Sequence, residues 1–370
     1  MENNQNQQQF SNIKIPMYLL GFCALLAILY VAREILIPLV FAGLFSILLS
    51  SVVNRLTNKG IPRVFAVTLT VVPAIVIFLL MSIIFIGQFS NFADNFPILL
   101  QKFKILTTQF INWGAEMFGV SPNGIQNALT DFEKNILNKS GAVIGYTIST
   151  MSNTLVGVLL IPVYIFMMLY YQPVLIGFIR RLFGYEHKDK VNDILPVTKE
   201  IIKSYLIGLI IETSIVATLN AVGLLILGIE YAILLGVIGG FLNVIPYVGA
   251  IIAASLYFIV ALVTKSPTYA ILVIVNYMII QFIDNNFLVP KIIGSKVSLN
   301  AFASIVAVIA GGALWGIPGM FLSIPLLAMI KVVCDRVDSL QPWGYLFGNS
   351  MPETSHVSYF KRLKKRKQTT

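Results

Sequence analysis

An all-α, polytopic integral membrane protein is the fold class this sequence predicts, on three observations. Only 11% of the 370 residues are charged, whereas a soluble domain carries about a quarter. Hydrophobic residues make up 57%. The charges are also bunched, leaving windows 35–54, 64–93, 140–179, 231–264 and 297–330 without Asp, Glu, Lys or Arg. Each window reaches or exceeds the roughly 20 apolar residues that cross a hydrocarbon core about 30 Å thick. About eight membrane segments are expected, one or two of them re-entrant helical hairpins.

Residues 1–16 form a polar, Gln/Asn-rich terminus, and 17–87 hold the first three spans, read as 17–32, 35–54 and 64–87. Arg33 and Glu34 form a tight external turn between the first two. No cleavable leader is expected, because the first apolar run is followed almost at once by another. Lys and Arg collect in cytoplasmic loops. Arg55, Lys59 and Arg63 therefore place the loop after the second span inside, and Arg180, Arg181, Lys188, Lys190, Lys199 and Lys203 do the same after the fourth. Both termini are then cytoplasmic.

Residues 88–140 are read as an external amphipathic helical segment. Phe92, Phe96, Leu99, Phe103, Leu106, Phe110 and Trp113 recur at helical spacing. A break at Gly119 to Asn123 precedes a shorter face of Ile125, Leu129, Phe132 and Ile136. The segment is read as a packed cap or interfacial helix, a lid, or a homo-oligomer contact. Residues 141–203 supply the fourth span and a cytoplasmic connecting helix. Residues 204–335 form the central core, with a fifth span at about 204–228, hairpins at 231–264 and 297–334, and an inward span at about 267–289 between them.

The net charge of +10 does not point to nucleic acid, which asks for a basic stripe on a soluble face. The excess lies in loops and in the 336–370 cytoplasmic tail, where Lys361, Arg362, Lys364, Lys365, Arg366 and Lys367 suit anionic lipid headgroups. Cys23 and Cys334 are read as inert thiols, and His187 and His356 stand apart, so no metal centre or cofactor is expected.

The windows 231–264 and 297–330 are too long for one upright helix and short for two full spans with a loop. Both are broken centrally, the first at Asn243 to Gly249 around Pro246 and Tyr247, the second at Gly311 to Gly319, which includes Gly312, Gly316 and Pro318. Proline removes a helical hydrogen bond and glycine loosens the backbone, so both centres are expected to be non-helical. Unwound backbone at membrane depth survives where protein or a water-filled cavity satisfies it, and paired interruptions of this kind mark the solute site of a transporter. The two hairpins would open to opposite sides. Their glycine pairs, Gly236 with Gly240 and Gly312 with Gly316, suit close helix approach.

Two carboxylates fall inside expected spans, where ionisable groups are costly and therefore functional candidates. Glu212 stands nine residues past Lys203, about 13 Å along a helix, and Asp284 stands seven before Lys291, about 10 Å. Both are expected at similar depth, as proton or sodium coupling groups or as caps of hairpin ends. Gln281, Asn285 and Asn286 surround Asp284 with amides. With Asn243, Pro246, Tyr247, Gly249, Gly312, Gly316 and Pro318 they form the expected path of a small-molecule solute. No GxSxG, P-loop, HExxH or GxGxxG stands in a fitting context, so an enzyme is not expected.

The ordered set Gly228-Ile229-Glu230-Tyr231-Ala232, Asn243 to Gly249, Gln281 to Lys291 with Ile292-Ile293-Gly294, Gly311 to Gly319, and Ile324-Pro325-Leu326 resembles the autoinducer-2 exporter family of bacterial membrane transporters. Pro38 and Gly60-Ile61-Pro62-Arg63 followed by Ala66 extend the resemblance toward the amino terminus. The chain departs from the family's pattern at Ser51, Glu230, Ala250 and Asp284, the last keeping the charge of the commoner glutamate. The resemblance implies export of small polar molecules such as the quorum-sensing signal autoinducer-2, or sodium or lithium/proton antiport. A non-transporting membrane scaffold is the remaining alternative.

Overall fold

Within the described residues the expected apolar windows appear as helices. A computed structural model describes residues 2–118, 160–182, 188–246, 248–292 and 299–348, and among these every regular element is helical. Five of the described helices are long and apolar enough to cross a membrane, or six if one bent pair counts as a single span; shorter apolar helices accompany them. The chain is thus an all-helical membrane protein.

Helix α1 (Glu2–Val31) meets α2 (Arg33–Asn58) at the single residue Ala32, with φ −82° and ψ 9°. The Ala32 N–H still donates to the Ile28 carbonyl, and the Leu36 N–H to the Ala32 carbonyl, both at 2.9 Å. Reversal of a helix takes a loop of about two to five residues. The tight turn expected at Arg33 and Glu34 is instead a one-residue kink, with those two residues opening α2.

Helix α3 (Arg63–Phe118) runs for 56 residues, about 84 Å at 1.5 Å per residue. The third span and the first amphipathic face after it were expected as separate pieces. They form one continuous helix, because Asn91 and Asp94 interrupt the hydropathy without ending the helix and Pro97 removes only one rung of its ladder. The second amphipathic face from Ile125 to Ile136 lies outside the described residues, as do Gly119 to Asn123.

Of the fourth span the structure describes α4 (Leu160–Tyr170), which bends by 70° into α5 (Gln172–Leu182). The bend frees the Leu169 carbonyl, and Arg63 fills it: Nε donates at 3.1 Å and Nη2 at 2.6 Å, while Nη2 also reaches Gln172 Oε1 at 2.9 Å. Helix α6 (Lys188–Ile226) then carries the connecting segment and the fifth span as one 39-residue helix.

The first broken window is a helical hairpin. Helix α7 (Ala232–Asn243) and α8 (Val248–Thr264) flank an interruption at Val244 to Pro246. Both arms are shorter than the roughly 20 residues a full crossing needs. Gly249 lies against the Leu242 backbone across the tip, and Gly239 lies against the Tyr257 hydroxyl. Helix α7 packs back along α6 through small residues: a Cβ on Gly236 would come within 2.6 Å of the Ala221 nitrogen, and one on Gly240 within 2.7 Å of the Ala217 Cβ. Helix α9 (Pro267–Ile283) returns beside α8 and widens into a π-helical turn, Asp284–Leu288, before the short α10 (Val289–Ile292).

The second window is α11 (Ala301–Arg336), whose backbone leaves the helical region at Gly316 alone (φ 64°, ψ −144°). The break is narrower than the expected Gly311–Gly319 stretch, since glycines and Pro318 on either side keep helical angles. The arms fold back closely enough that a Cβ on Gly311 would strike Ser323 Oγ and the Gly319 carbonyl. The window begins and ends near one end of the fold. Asn300 caps the first arm by accepting from the Ala303 N–H at 2.7 Å, and its Nδ2 donates to the Leu346 and Gly348 carbonyls at the end of α12 (Gln341–Phe347).

Three buried clusters hold these parts. One joins Leu224, Leu235, Tyr257, Val273 and Tyr277 of the first hairpin and its neighbours, with Phe92 of α3 packed against it. A second joins α2, α3 and α4 through Ala42, Val53, Val67 and Leu169. The third joins Leu44, Ile202, Leu206 and Leu322, with Val244 and Trp315 from the two hairpin tips on its margin.

Candidate functional site

The carboxylates Glu212 and Asp284, 72 positions apart in the chain, meet at the tip of the first hairpin. Helix α6 presents Glu212, the last turn of α7 presents Asn243, and the junction of α9 with its π turn presents Asp284. The Asn243 Nδ2 group donates to Glu212 Oε1 at 3.2 Å and to Asp284 Oδ2 at 2.9 Å. The two acceptor oxygens are therefore no more than 6.1 Å apart. Glu212 is 6% exposed and Asp284 2%.

The network continues away from the acids. Gln281 Nε2 donates to Asn243 Oδ1 and to the Tyr277 hydroxyl, each at 3.0 Å, and that hydroxyl donates to the Ala250 carbonyl at 3.0 Å. Four helices and the hairpin tip are thereby tied by one polar chain. Asp284 Oδ1 is buried without a hydrogen-bond partner. Among the described residues no Lys, Arg or His pairs with either acid.

Two ionised carboxylates sharing one neutral amide in an apolar interior are an uncompensated pair of like charges. A proton or a small cation offsets them, and a buried charge without such an offset costs several kcal/mol. The vacant lone pairs on Asp284 Oδ1 suit a proton or a hard, oxygen-seeking cation, whereas the Asn243 amide turns its N–H groups to the acids. The π turn that begins at Asp284 fits this reading, since such widened turns gather at functional sites.

Of the residues expected along a solute path, Asn243 joins the acids directly and Gln281 joins them through Asn243. Pro246 forms the half-buried tip, and Gly249 is packed on the opposite arm. Asn285 and Asn286 point out of the fold and are exposed, Asn286 bonding its own helix at Phe282. Gly312, Gly316 and Pro318 belong to the second hairpin and make no hydrogen bond to the carboxylate cluster. Tyr247 lies outside the described residues.

Sequence reasoning did not single out Tyr277 or Asn220. Asn220 is fully buried on α6, its Nδ2 bonded to the Val216 carbonyl and its Oδ1 unpartnered. It stands eight residues after Glu212, two turns along the same face, and that spacing is the signal that marks it.

An all-helical membrane fold with a buried carboxylate pair at a broken-helix tip defines the class: an integral membrane transport protein. The model of the AI-2E family transporter matches residues 19–338, and the chain belongs to that family. It is 26% identical to the "Putative transport protein YueF" of Bacillus subtilis over 80% of this chain and 82% of that one. A "Putative transport protein" of Haemophilus influenzae is 25% identical over 92% and 98% of the two chains, and the "Putative permease PerM" of Escherichia coli K12 is 26% identical over 88% and 94%.

Proposed function

We propose that the protein is a secondary transporter that exports a small polar solute, of the autoinducer-2 type or a related metabolite, from a bacterial cell and couples that movement to a proton or sodium ion. The observation that carries the reading is the Asn243 amide held between Glu212 and Asp284. A cation arriving at either acid competes with the amide for its oxygens, and the amide sits on the hairpin tip. Occupancy of the acids is thus transmitted to the broken helix, where free backbone dipoles can meet a solute.

In this reading the protein sits in the plasma membrane with its carboxy terminus cytoplasmic, as the distribution of Lys and Arg supports. A cytoplasmic amino terminus, expected from the same distribution, would need a reversal that the one-residue kink at Ala32 does not supply. The protein acts as a carrier rather than an enzyme. Exposed apolar faces on α1 and α3 are covered by lipid or by a second copy of the chain, consistent with a homo-oligomer.

Proteoliposome flux under an imposed proton or sodium gradient tests the proposal. Glu212→Gln and Asp284→Asn should each abolish the dependence on the gradient. Parent-like gradient-driven flux in both variants overturns ion coupling.

A second reading, sodium or lithium/proton antiport without an organic solute, is favoured by the unpartnered Asp284 Oδ1. Restored growth of an antiporter-deficient host in lithium or sodium at alkaline pH, lost in Asp284→Asn, would establish it in place of export.

A further inference from the structure

A second polar cavity lies away from the carboxylate cluster, under the α4–α5 bend. It encloses about 380 Å³ and is lined by Asn54 of α2, Arg63 of α3, Lys199 of α6, and Gln172, Ile176 and Arg180 among the residues of α5. Three cationic side chains converge there from three helices, and no carboxylate lines it. Arg63 commits Nε and Nη2 to the bend. Arg180 and Lys199 make no hydrogen bond or ion pair among the described residues. Glu200, beside Lys199 in the chain, acts on it through charge without a hydrogen bond and accepts from Ser204 one turn on.

The helix that walls this cavity has two faces. Gln172, Pro173, Ile176 and Arg180 line the basic cavity. Val174, Leu175, Phe178 and Leu182 are exposed and apolar on the other side. Helix α5 turns 70° from α4, and the exposed rings of Tyr170 and Tyr171 stand at the corner. An amphipathic helix turned from a span, with tyrosines at the turn, is the arrangement of a segment lying at the level of lipid headgroups.

We propose that this cavity binds the phosphate group of an anionic phospholipid, with Arg180 and Lys199 as its principal charge partners and Arg63, Asn54 and Gln172 as hydrogen-bond donors, while the opposite, apolar face of α5 holds the helix at headgroup depth. A helix with one face among acyl chains holds the cavity on its other face at the depth of lipid phosphates. That depth favours the lipid over a soluble phosphate ester.

The test uses the full chain purified in detergent and titrated with phosphatidylglycerol or phosphatidylcholine, the bound lipid being counted by native mass spectrometry. The parent should hold phosphatidylglycerol in preference to phosphatidylcholine. The double variant Arg180→Gln/Lys199→Gln should weaken the tightest phosphatidylglycerol site about 30-fold, from two basic contacts of ordinary strength. Arg181→Gln, exposed on α5 but outside the cavity, should bind like the parent. Neither glutamine of the double variant removes a hydrogen bond of the fold, so its helicity by circular dichroism should match the parent.

Parent-like affinity in the double variant would assign the retained lipid to the basic tail and overturn the proposal. Equal binding of phosphatidylcholine would overturn it as well. Displacement of phosphatidylglycerol by millimolar glycerol 3-phosphate would make the cavity a soluble phosphate-ester site and overturn the lipid assignment.

Discussion

The hydroxyl of Tyr257 donates to the main-chain carbonyl of Leu235 at 3.0 Å, fastening one arm of the first hairpin to the other. Tyr257 is fully buried, and its ring meets Tyr277 edge-on at 5.6 Å. Tyr257→Phe should cost about 1 kcal/mol, the net worth of one hydrogen bond. Gly239→Ala, which drives a methyl into that hydroxyl, should cost about 1–3 kcal/mol through overpacking. Unfolding in mixed micelles measures both. A Gly239→Ala protein as stable as the parent would mean that the arms do not pack as closely as described.

Removal of the amide at the hairpin tip should uncouple the two acids. Asn243→Ala leaves Glu212, Asp284 and Gln281 each short of a partner, and a hydrogen bond to a charged group is worth about 1.5–3 kcal/mol. Transport should fall at least about tenfold while the protein still inserts. Asn243→Gln should recover less than half of that loss, since the longer side chain displaces the amide. Full activity of the alanine variant in vesicle flux would remove Asn243 from the mechanism.

Two glycines should respond oppositely to alanine. Gly316 occupies a left-handed, extended conformation with no atom within 4 Å of a built Cβ, so Gly316→Ala costs backbone strain alone, about 1–3 kcal/mol. Gly87 lies within α3 with equally open surroundings, and Gly87→Ala should stabilise that helix by about 0.5–1 kcal/mol. Paired thermal melts distinguish the signs.

The α4–α5 bend should depend on a forked donor. Lysine cannot reproduce the planar geometry with which Arg63 serves Leu169 and Gln172, so Arg63→Lys should lose about 1.5–3 kcal/mol. Spin-label distances between α3 and α5 should broaden in that variant. An unchanged distribution would show that the bend stands without the guanidinium.

One surface contact should respond to acid. Lys190 donates to Asp338 at 2.7 Å and holds that carboxyl below the usual aspartate range. Its folded-state pKa is depressed, so the contact stabilises above the ordinary aspartate pKa of about 4 and fades as pH falls through the lower folded value. The melting difference between the parent and Asp338→Asn should be small, constant from about pH 5 to 7, and gone in strong acid. Salt should shrink it too. A difference that grows on acidification contradicts the assignment.

The acids were legible because basic residues fix where a span leaves the membrane. Lys203 and Lys291 placed Glu212 and Asp284 at one depth, and the structure brings those side chains to a shared amide. Asn243 and Pro246 were legible because proline and a polar residue stand out in an apolar window. The length of α3 was not: Asn91 and Asp94 mark a change of solvent, to which the i to i−4 ladder is indifferent. The anchoring of the α4–α5 bend by Arg63 was also hidden, since its acceptor lies 106 residues away. Tyr277 looked like any interfacial ring until its hydroxyl found Gln281.

Helix α3 links a remote place to a sensitive one. Phe92 meets Tyr231 edge-on at 5.3 Å, at the foot of the first hairpin, while the helix continues 26 residues beyond to Phe118. Pro97, five residues past that contact, removes one rung of the ladder and is the natural joint of the long helix. Bending there lets the far end move while the aromatic contact at the foot of the hairpin stays in place.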